Sequence, residues 1–280
     1  MKLKWFRKAI TAGLIVASLS AGILVKHIRA RREASPLTPP ANMMPIDQGT
    51  FQMGSKQGAL DEKPVHLVKL SSFLMDRDEV TYRDYREFIE ECPEWRKDSV
   101  DIDCADLNYL CDWDGLSYSS EKAEHPIVYI SWFAAKAYAE WIGKALPSEA
   151  QWEYASRGGF KNMDYPWGKD FKSHLTQWRE SDVRGTVKGG RYSINGYGLQ
   201  DIIGNAAEWT VDGYEMYMEE EQVDPSPSIN RHLKVIRGGS WKSDWEDLRV
   251  SARRASRPNV CRPDVGFRCV FNQTMTRNRG

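Results

Sequence analysis

The sequence is poor in the residues that build most metal and redox centres. It has five histidines and five cysteines in 280 residues, and no Cys-x-x-Cys. No Cys/His cluster has zinc-finger spacing, which excludes a structural zinc module. Net charge is also lacking, with 39 Lys+Arg against 39 Asp+Glu. That balance hides an asymmetry: residues 1–32 carry eight basic side chains and no acid, so residues 33–280 hold 31 basic against 39 acidic residues, a net of −8. A body that acidic has no general attraction for nucleic acid, because phosphate binding needs surplus cations. The glycine pairs do not help either. Gly189-Gly190 and Gly196-x-Gly198 do not open a capped helix after a strand, so a nucleotide-binding loop is not supported. With 41% hydrophobic and 28% charged residues the chain is neither disordered nor collagen-like. Its length fits one large domain or two small ones.

There is one long apolar run, Ala9 to Val25, of 17 uncharged residues. At about 1.5 Å per residue it spans about 25 Å, slightly short of a ~30 Å hydrocarbon core. It exceeds the roughly 7–15 apolar residues of an ordinary signal-peptide core. Trp5 and Phe6 stand where interfacial aromatics anchor a helix, and basic clusters flank both ends. The expectation is a retained signal-anchor or a cleaved signal peptide in 1–32, with a cytoplasmic face as the remaining alternative. Localisation is accordingly read as the cell envelope: anchored in the inner membrane facing the periplasm, or secreted into the periplasm. Ser-Pro-Leu-Thr-Pro-Pro-Ala then gives a stiff Pro-rich linker over 33–43.

Beyond it the spacing predicts short elements. Gly49 to Met53 and Val65 to Leu70 read as strands. Thr81 opens a helix with an acid three residues on, and Tyr82, Tyr85, Phe88 and Ile89 line one face. Ser131 opens a second, whose Ala134, Ala137, Tyr138 and Trp141 recur at helical spacing before Gly143 stops it. Ser148-x-x-Gln151 is a capping box for a third. After Phe160 the chain reads as turns and short strands. Few helices, scattered strands and 11 Trp, 12 Tyr and 9 Phe suggest an α+β body with a compact aromatic core. Cys92 to Glu124 is acidic and aperiodic and reads as a surface insertion. In an oxidising compartment the five cysteines allow two bridges with one left over; Cys104–Cys111 and Cys261–Cys269 are the local choices, and connectivity stays open.

Several blocks carry a resemblance. Gly49-Thr-Phe-Gln-Met-Gly54, Asp78-Glu-Val-Thr81, His125-Pro126 with Ser131-Trp132, and Leu146-Pro-Ser-Glu-Ala-Gln-Trp-Glu-Tyr-Ala155 with Arg157-Gly-Gly159 are four of them. Tyr165-Pro-Trp-Gly168, Asn195-Gly-Tyr-Gly-Leu199, Gly204-Asn-Ala-Ala-Glu-Trp209, Arg237-Gly-Gly-Ser-Trp241 and Val265-Gly-Phe-Arg-Cys269 complete the series. In this order, over about residues 44–271, they resemble the formylglycine-generating enzyme (sulfatase-modifying factor) family. The resemblance implies a variant C-type-lectin-like α+β domain over 44–271, poor in regular secondary structure, with 272–280 as a tail. Fold does not fix activity. The family's enzymes hold copper and engage substrate through two cysteines just beyond the Gly-Gly-Ser-aromatic motif, as soft thiolates suit Cu(I). Here Gly238 to Arg249 contains no cysteine, and the tryptophan expected before Glu208-Trp209 is Ala207. Formylglycine generation is therefore not expected. Cys269 matches a structural family cysteine whose usual partner position is Ser156, which makes Cys261–Cys269 the implied bridge.

The resemblance also implies a calcium site. Carried over residue by residue, its ligands are Asp201, the carbonyls of Gly204 and Ala206, and Glu208, a hard-oxygen set that suits Ca²⁺. The competing reading is that Glu208 caps a turn or meets an arginine. Where the thiolates are missing, Trp241, Lys242, Asp244 and Trp245 pair aromatic surface with charge and are the candidate contacts for a protein or peptide partner in the envelope. The alternative is a metal-dependent oxidoreductase maturing a periplasmic peptide or siderophore, since family relatives include enzymes that mature pyoverdine. Its redox metal is unassigned: His66, His125, His174 and His232 are far apart in sequence, and His125 reads as a packing residue. Asp101, Asp103, Asp106, Asp112 and Asp114 lack EF-hand order and read as solvated loop. Arg249, Arg253, Arg254 and Arg257 read as structural ion-pair partners.

Overall fold

The structure, a computed structural model, describes residues 42–272 apart from Ser193, Ile229 and Arg231. The expected anchor at Ala9–Val25, nearly all of the linker and the C-terminal tail lie outside the described residues. Among the described residues no helix is long and apolar enough to cross a membrane.

Three helices form where their caps predict. Thr81 accepts from the Asp84 amide and starts α1, Tyr82–Glu91. Ser131 does the same through Ala134 for α2, Trp132–Trp141, and Ser148 through Gln151 for α3, Glu149–Ser156. Each such cap satisfies an otherwise orphaned amide and contributes about 1 kcal/mol. Gly143 follows α2 in the left-handed region at φ 73°, where any other residue type is strained.

Among the described residues ten short strands make three small sheets. They are β1 Met43–Ile46, β2 Gly49–Met53, β3 His66–Leu70, β4 Phe73–Asp76, β5 Ala207–Gly213, β6 Gln222–Val223, β7 Lys234–Arg237, β8 Arg253–Ser256, β9 Val265–Gly266 and β10 Val270–Asn272. Their orders are β1-β4-β10, β2-β3-β6 and β8-β7-β5-β9. The last sheet carries the blocks Ala207-Glu-Trp209, Lys234 to Arg237 and Val265-Gly266 side by side, with Glu208 opposite both Arg237 and Gly266. Segments 29 and 58 residues from Glu208 in the chain (237 − 208 and 266 − 208) thus meet at one place.

Large side chains fill the space between these small sheets and helices. Tyr138 of α2 meets Tyr85, Phe88, Trp141 and Phe267 at ring distances of 5.3–5.8 Å. Pairs like these add roughly 0.5–1.5 kcal/mol each beyond their buried area. A second apolar cluster surrounds the fully buried Trp152 with Met75, Leu199 and Ile202.

Two expectations need correction. Cys92 to Glu124 is no mere surface insertion, because Ala105, Tyr109, Leu110 and Trp113 are buried in the core around α1 and α2. Turn hydrogen bonds rather than a period bring them inward: the Leu110 amide donates to the Tyr129 carbonyl and the Tyr109 hydroxyl to the Trp95 carbonyl. Cys104, Cys111, Cys261 and Cys269 are unbridged, so neither Cys104–Cys111 nor Cys261–Cys269 is formed. The last two thiols sit in different surroundings. Cys261 Sγ lies against the Asn259 carbonyl, whereas the Cys269 amide is held by Asp76.

Candidate functional site

The Gly204-Asn-Ala-Ala turn leads into β5 through Asp201, Gly204 and Asn205, with φ of 50°, 80° and 54°. Gly204 is obligatory, since a Cβ there would stand 2.0 Å from Thr176 Oγ1 and 2.5 Å from the Gln177 carbonyl. Asn205 fastens the turn: Oδ1 accepts from the Val187 amide at 2.9 Å and Nδ2 donates to Glu79 at 2.8 Å. The turn fixes where the next acid points. Glu208 enters the core, where Arg268 Nε donates to both its oxygens at 2.9 and 3.0 Å and Trp152 Nε1 donates to Oε2 at 2.8 Å. Arg268 spends its other hydrogens on the carbonyls of Asp76, Arg77 and Gln200. The arginine reading of Glu208 is thus realised in its geometry.

Asp201 and Glu79 complete the surroundings. Asp201 accepts from the amides of Gly190 and Tyr192. Burial still pushes its carboxyl above the ordinary range, against the pull of those amides and Arg268. Burial, then the neighbouring Glu208 and Asp201, push Glu79 well above that range. Three carboxyl groups therefore share one guanidinium. By donor type the Asp201 and Glu208 carboxyls and the neighbouring carbonyls are hard oxygens of the kind calcium takes. An ion at Glu208 would share a carboxylate already hydrogen-bonded on both oxygens. Among the described residues no three His, Cys, Asp or Glu side chains converge on one point, so the Gly204 and Ala206 carbonyls would supply the remaining ligands.

The candidate partner loop follows β7. Arg237, at its end, is fully buried between Glu149 and Glu153 and donates to the carbonyls of Val250 and Ser251. Arg157 and Arg253 pair with the same two acids from outside. This five-residue knot is the footing of the loop. Beyond it, Trp241 Nε1 donates to the Pro263 carbonyl at 3.2 Å and Lys242 Nζ lies 4.9 Å from the Trp241 ring centre. Asp244 pairs with Arg179. Trp245 is 48% exposed, with its carbonyl bound by the Tyr165 hydroxyl. The four residues share one short stretch, but the contacts of Trp241 and Lys242 differ from those of Asp244 and Trp245. A cavity of about 80 Å³ lies behind the loop, lined by Ile236, Gly239, Ser243 and Asp247 among others.

Burial pushes Cys261 and Cys269 far above the usual thiol range, so both are protonated packing groups. His125 sits half-buried with Nδ1 3.3 Å from Thr186 Oγ1, and buried His66 lies at a tilt against Tyr217, which gives each a packing role. Sequence reasoning missed Glu79, Arg268 and the Arg237 knot as partners. The signal was there, because Glu79, Arg237 and Arg268 each lie inside one of the recurring blocks.

Comparison with known proteins agrees with this geometry. A family model described as the sulfatase-modifying factor enzyme 1-like domain matches residues 29–273. The chain is 34% identical over 257 residues to the serine/threonine-protein kinase pkn1 of Chlamydia pneumoniae, a match covering 89% of this chain and 41% of the kinase. It thus spans about two fifths of that relative. It is 30% identical over 276 residues to the inactive C-alpha-formylglycine-generating enzyme 2 of Bos taurus, covering 82% and 87% of the two chains. The solved structure of PvdO from Pseudomonas aeruginosa shares the fold with a TM-score of 0.68 at 23% identity, covering 82% of this chain and 94% of that one. By sequence and by fold, the chain belongs to the sulfatase-modifying factor (formylglycine-generating enzyme) family.

Proposed function

We propose that this domain is a partner-binding member of the family, held in the cell envelope by Ala9–Val25 or released there, which recognises a protein or peptide without generating formylglycine. One observation carries the reading. The loop in which the family's enzymes place two thiolates instead holds Trp241, Lys242, Asp244 and Trp245, a half-exposed aromatic and charged surface on a rigid buried footing. Surfaces of this kind supply anchors for protein contacts. A relative named as inactive shows that the family does not always keep the chemistry.

The test is a photo-crosslinking residue placed at Trp245 or, as a control, at the 91% exposed Leu107. In cells of native origin, position 245 should trap one adduct of defined mass and position 107 none. Equal labelling at both positions sinks the proposal. Metal analysis of the same preparation bears on the rival oxidoreductase reading: stoichiometric iron or copper, lost with a histidine variant, would favour it.

Calcium is part of the proposal, with Asp201, Glu208 and the Gly204 and Ala206 carbonyls as ligands. When bound it would offset the carboxylate excess around Arg268 and stiffen the turn into β5. Chelation should then lower the melting temperature of wild-type protein, and Asp201→Ala should remove that response. A melting curve indifferent to chelator overturns it.

A further inference from the structure

Away from the Trp241–Trp245 face, a groove of about 700 Å³ runs between β2 with its following turn and the loop after α3. Thr50, Phe51 and Gln52 form one wall, and Phe160 and Met163 stand in the other. β2 is an edge strand, hydrogen-bonded to β3 on one side only. Alternate amides and carbonyls of such a strand point outward and accept a further strand. α3 covers one face of β2 through the Phe51–Tyr154 contact at 5.2 Å. The open edge ends where the Gly54 amide turns away to Glu153 at 2.9 Å.

Edge strands are ordinarily guarded by a charge, a proline or a bulge. The Gly-Thr-Phe-Gln-Met sequence of β2 carries no charge or proline, and its pairing with β3 runs without a register shift. The charges lie around the groove instead. Lys56, Lys161 and Lys169 line it, and none of the three makes an ion pair among the described residues. The fourth cation, Arg157, is bound to Glu153 and to the carbonyls of Gly54 and Met163. Asp164 is the one acid in the lining. In a body with an acidic excess, three unpaired lysines along one groove mark it for an anionic occupant. Phe160 and Leu67, 53% and 39% exposed, offer apolar contact beside them.

The geometry points to a second docking surface, in which an extended acidic peptide adds as a strand to the β2 edge and sets its carboxylates against Lys56, Lys161 and Lys169. Main-chain hydrogen bonds hold the peptide and alternate side chains select it, the general scheme of strand addition. A strand of five residues spans about 17 Å, long enough to present two or three side chains to the lysine wall.

The experiment uses a fluorescein-labelled decapeptide alternating glutamate with valine and reads anisotropy with the whole protein. Binding should saturate, and should weaken by at least about tenfold for Lys56→Glu/Lys161→Glu/Lys169→Glu. A second peptide of the same charge, with its valines replaced by proline, lacks half the amide donors and should bind about tenfold more weakly to unaltered protein. Trp245→Ala should leave both affinities unchanged, which separates this surface from the loop discussed above. Equal affinity for the two peptides would overturn strand addition, since charge alone would then explain the binding. Failure of the alternating peptide to bind, or indifference to the lysine reversals, would overturn the site itself.

Discussion

Arg268→Ala should cost about 3–5 kcal/mol of unfolding free energy, the penalty for leaving a buried charge without its partner. Glu208 would be stranded beside Asp201 and Glu79 with only the Trp152 indole still donating to it. The carbonyls of Asp76, Arg77 and Gln200 would lose the Arg268 hydrogen bond as well, that of Arg77 keeping the Gln200 amide. A domain of this size has a total stability of roughly 5–15 kcal/mol, so the variant should sit at the margin of folding. Urea titration followed by tryptophan fluorescence at neutral pH measures it. Arg268→Met combined with Glu208→Leu should recover much of the loss, because removing both charges is far less costly than removing one. A single variant within about 1 kcal/mol of wild type would show that Arg268 is dispensable.

The second large effect is loss of stability in acid. Burial alone would push Glu153 upward, but Arg157 and Arg237 outweigh it and hold the carboxyl below its ordinary value. Arg249 does the same for Glu62, and Arg254 with Arg262 for Asp264, each against the cost of burial. A group whose folded pKa is depressed contributes stability above its unfolded pKa and loses it as pH falls through the folded one. The window therefore opens below the unfolded carboxylate values of about 4–4.5. Each such group adds a slope of up to about 1.4 kcal/mol per pH unit there. Buried Asp212 works in the opposite sense. Burial and the nearby Glu149 raise it to about 6, so its contribution to stability declines as pH rises toward that value. The urea midpoint should thus be highest in mildly acidic buffer and fall steeply below pH about 4. Glu153→Gln should make that fall shallower by about one proton. A wild-type midpoint that stays level from neutral pH down to pH about 3 would refute the account.

Much of the local structure was legible because it is written locally. Thr81, Ser131 and Ser148 announce their helices through side-chain oxygens that need only the next three residues. The blocks from Gly49 to Cys269 declared the family and hence the α+β fold. What was not legible depends on chain segments meeting at a distance. The core role of Tyr109 and Trp113 follows no period, because turns rather than a helix point them inward. Arg237 and Arg268 look like surface cations in sequence and are fully buried in the structure. Only the facing acids explain them, and those lie 60 to 88 residues away. The open edge of β2 was equally hidden, since a strand does not say which side its neighbour will occupy. The free thiols show the same limit: Cys261 and Cys269 are close in sequence and lodged against different groups.

The sheet β1-β4-β10 has a mechanical meaning. β1 and β10 both run antiparallel to β4, so they are parallel to each other with β4 between them. Met43 enters opposite Asp76 and Asn272 leaves opposite Phe73, at opposite ends of that central strand. Tension drawn through residues 43 and 272 would therefore pull the outer strands in opposing directions along their own axes. Ladder hydrogen bonds lie across the strands, so they would share such a load together instead of opening one at a time. A pull carried by the chain on both sides of the sheet would be met in shear, across all the ladder bonds at once.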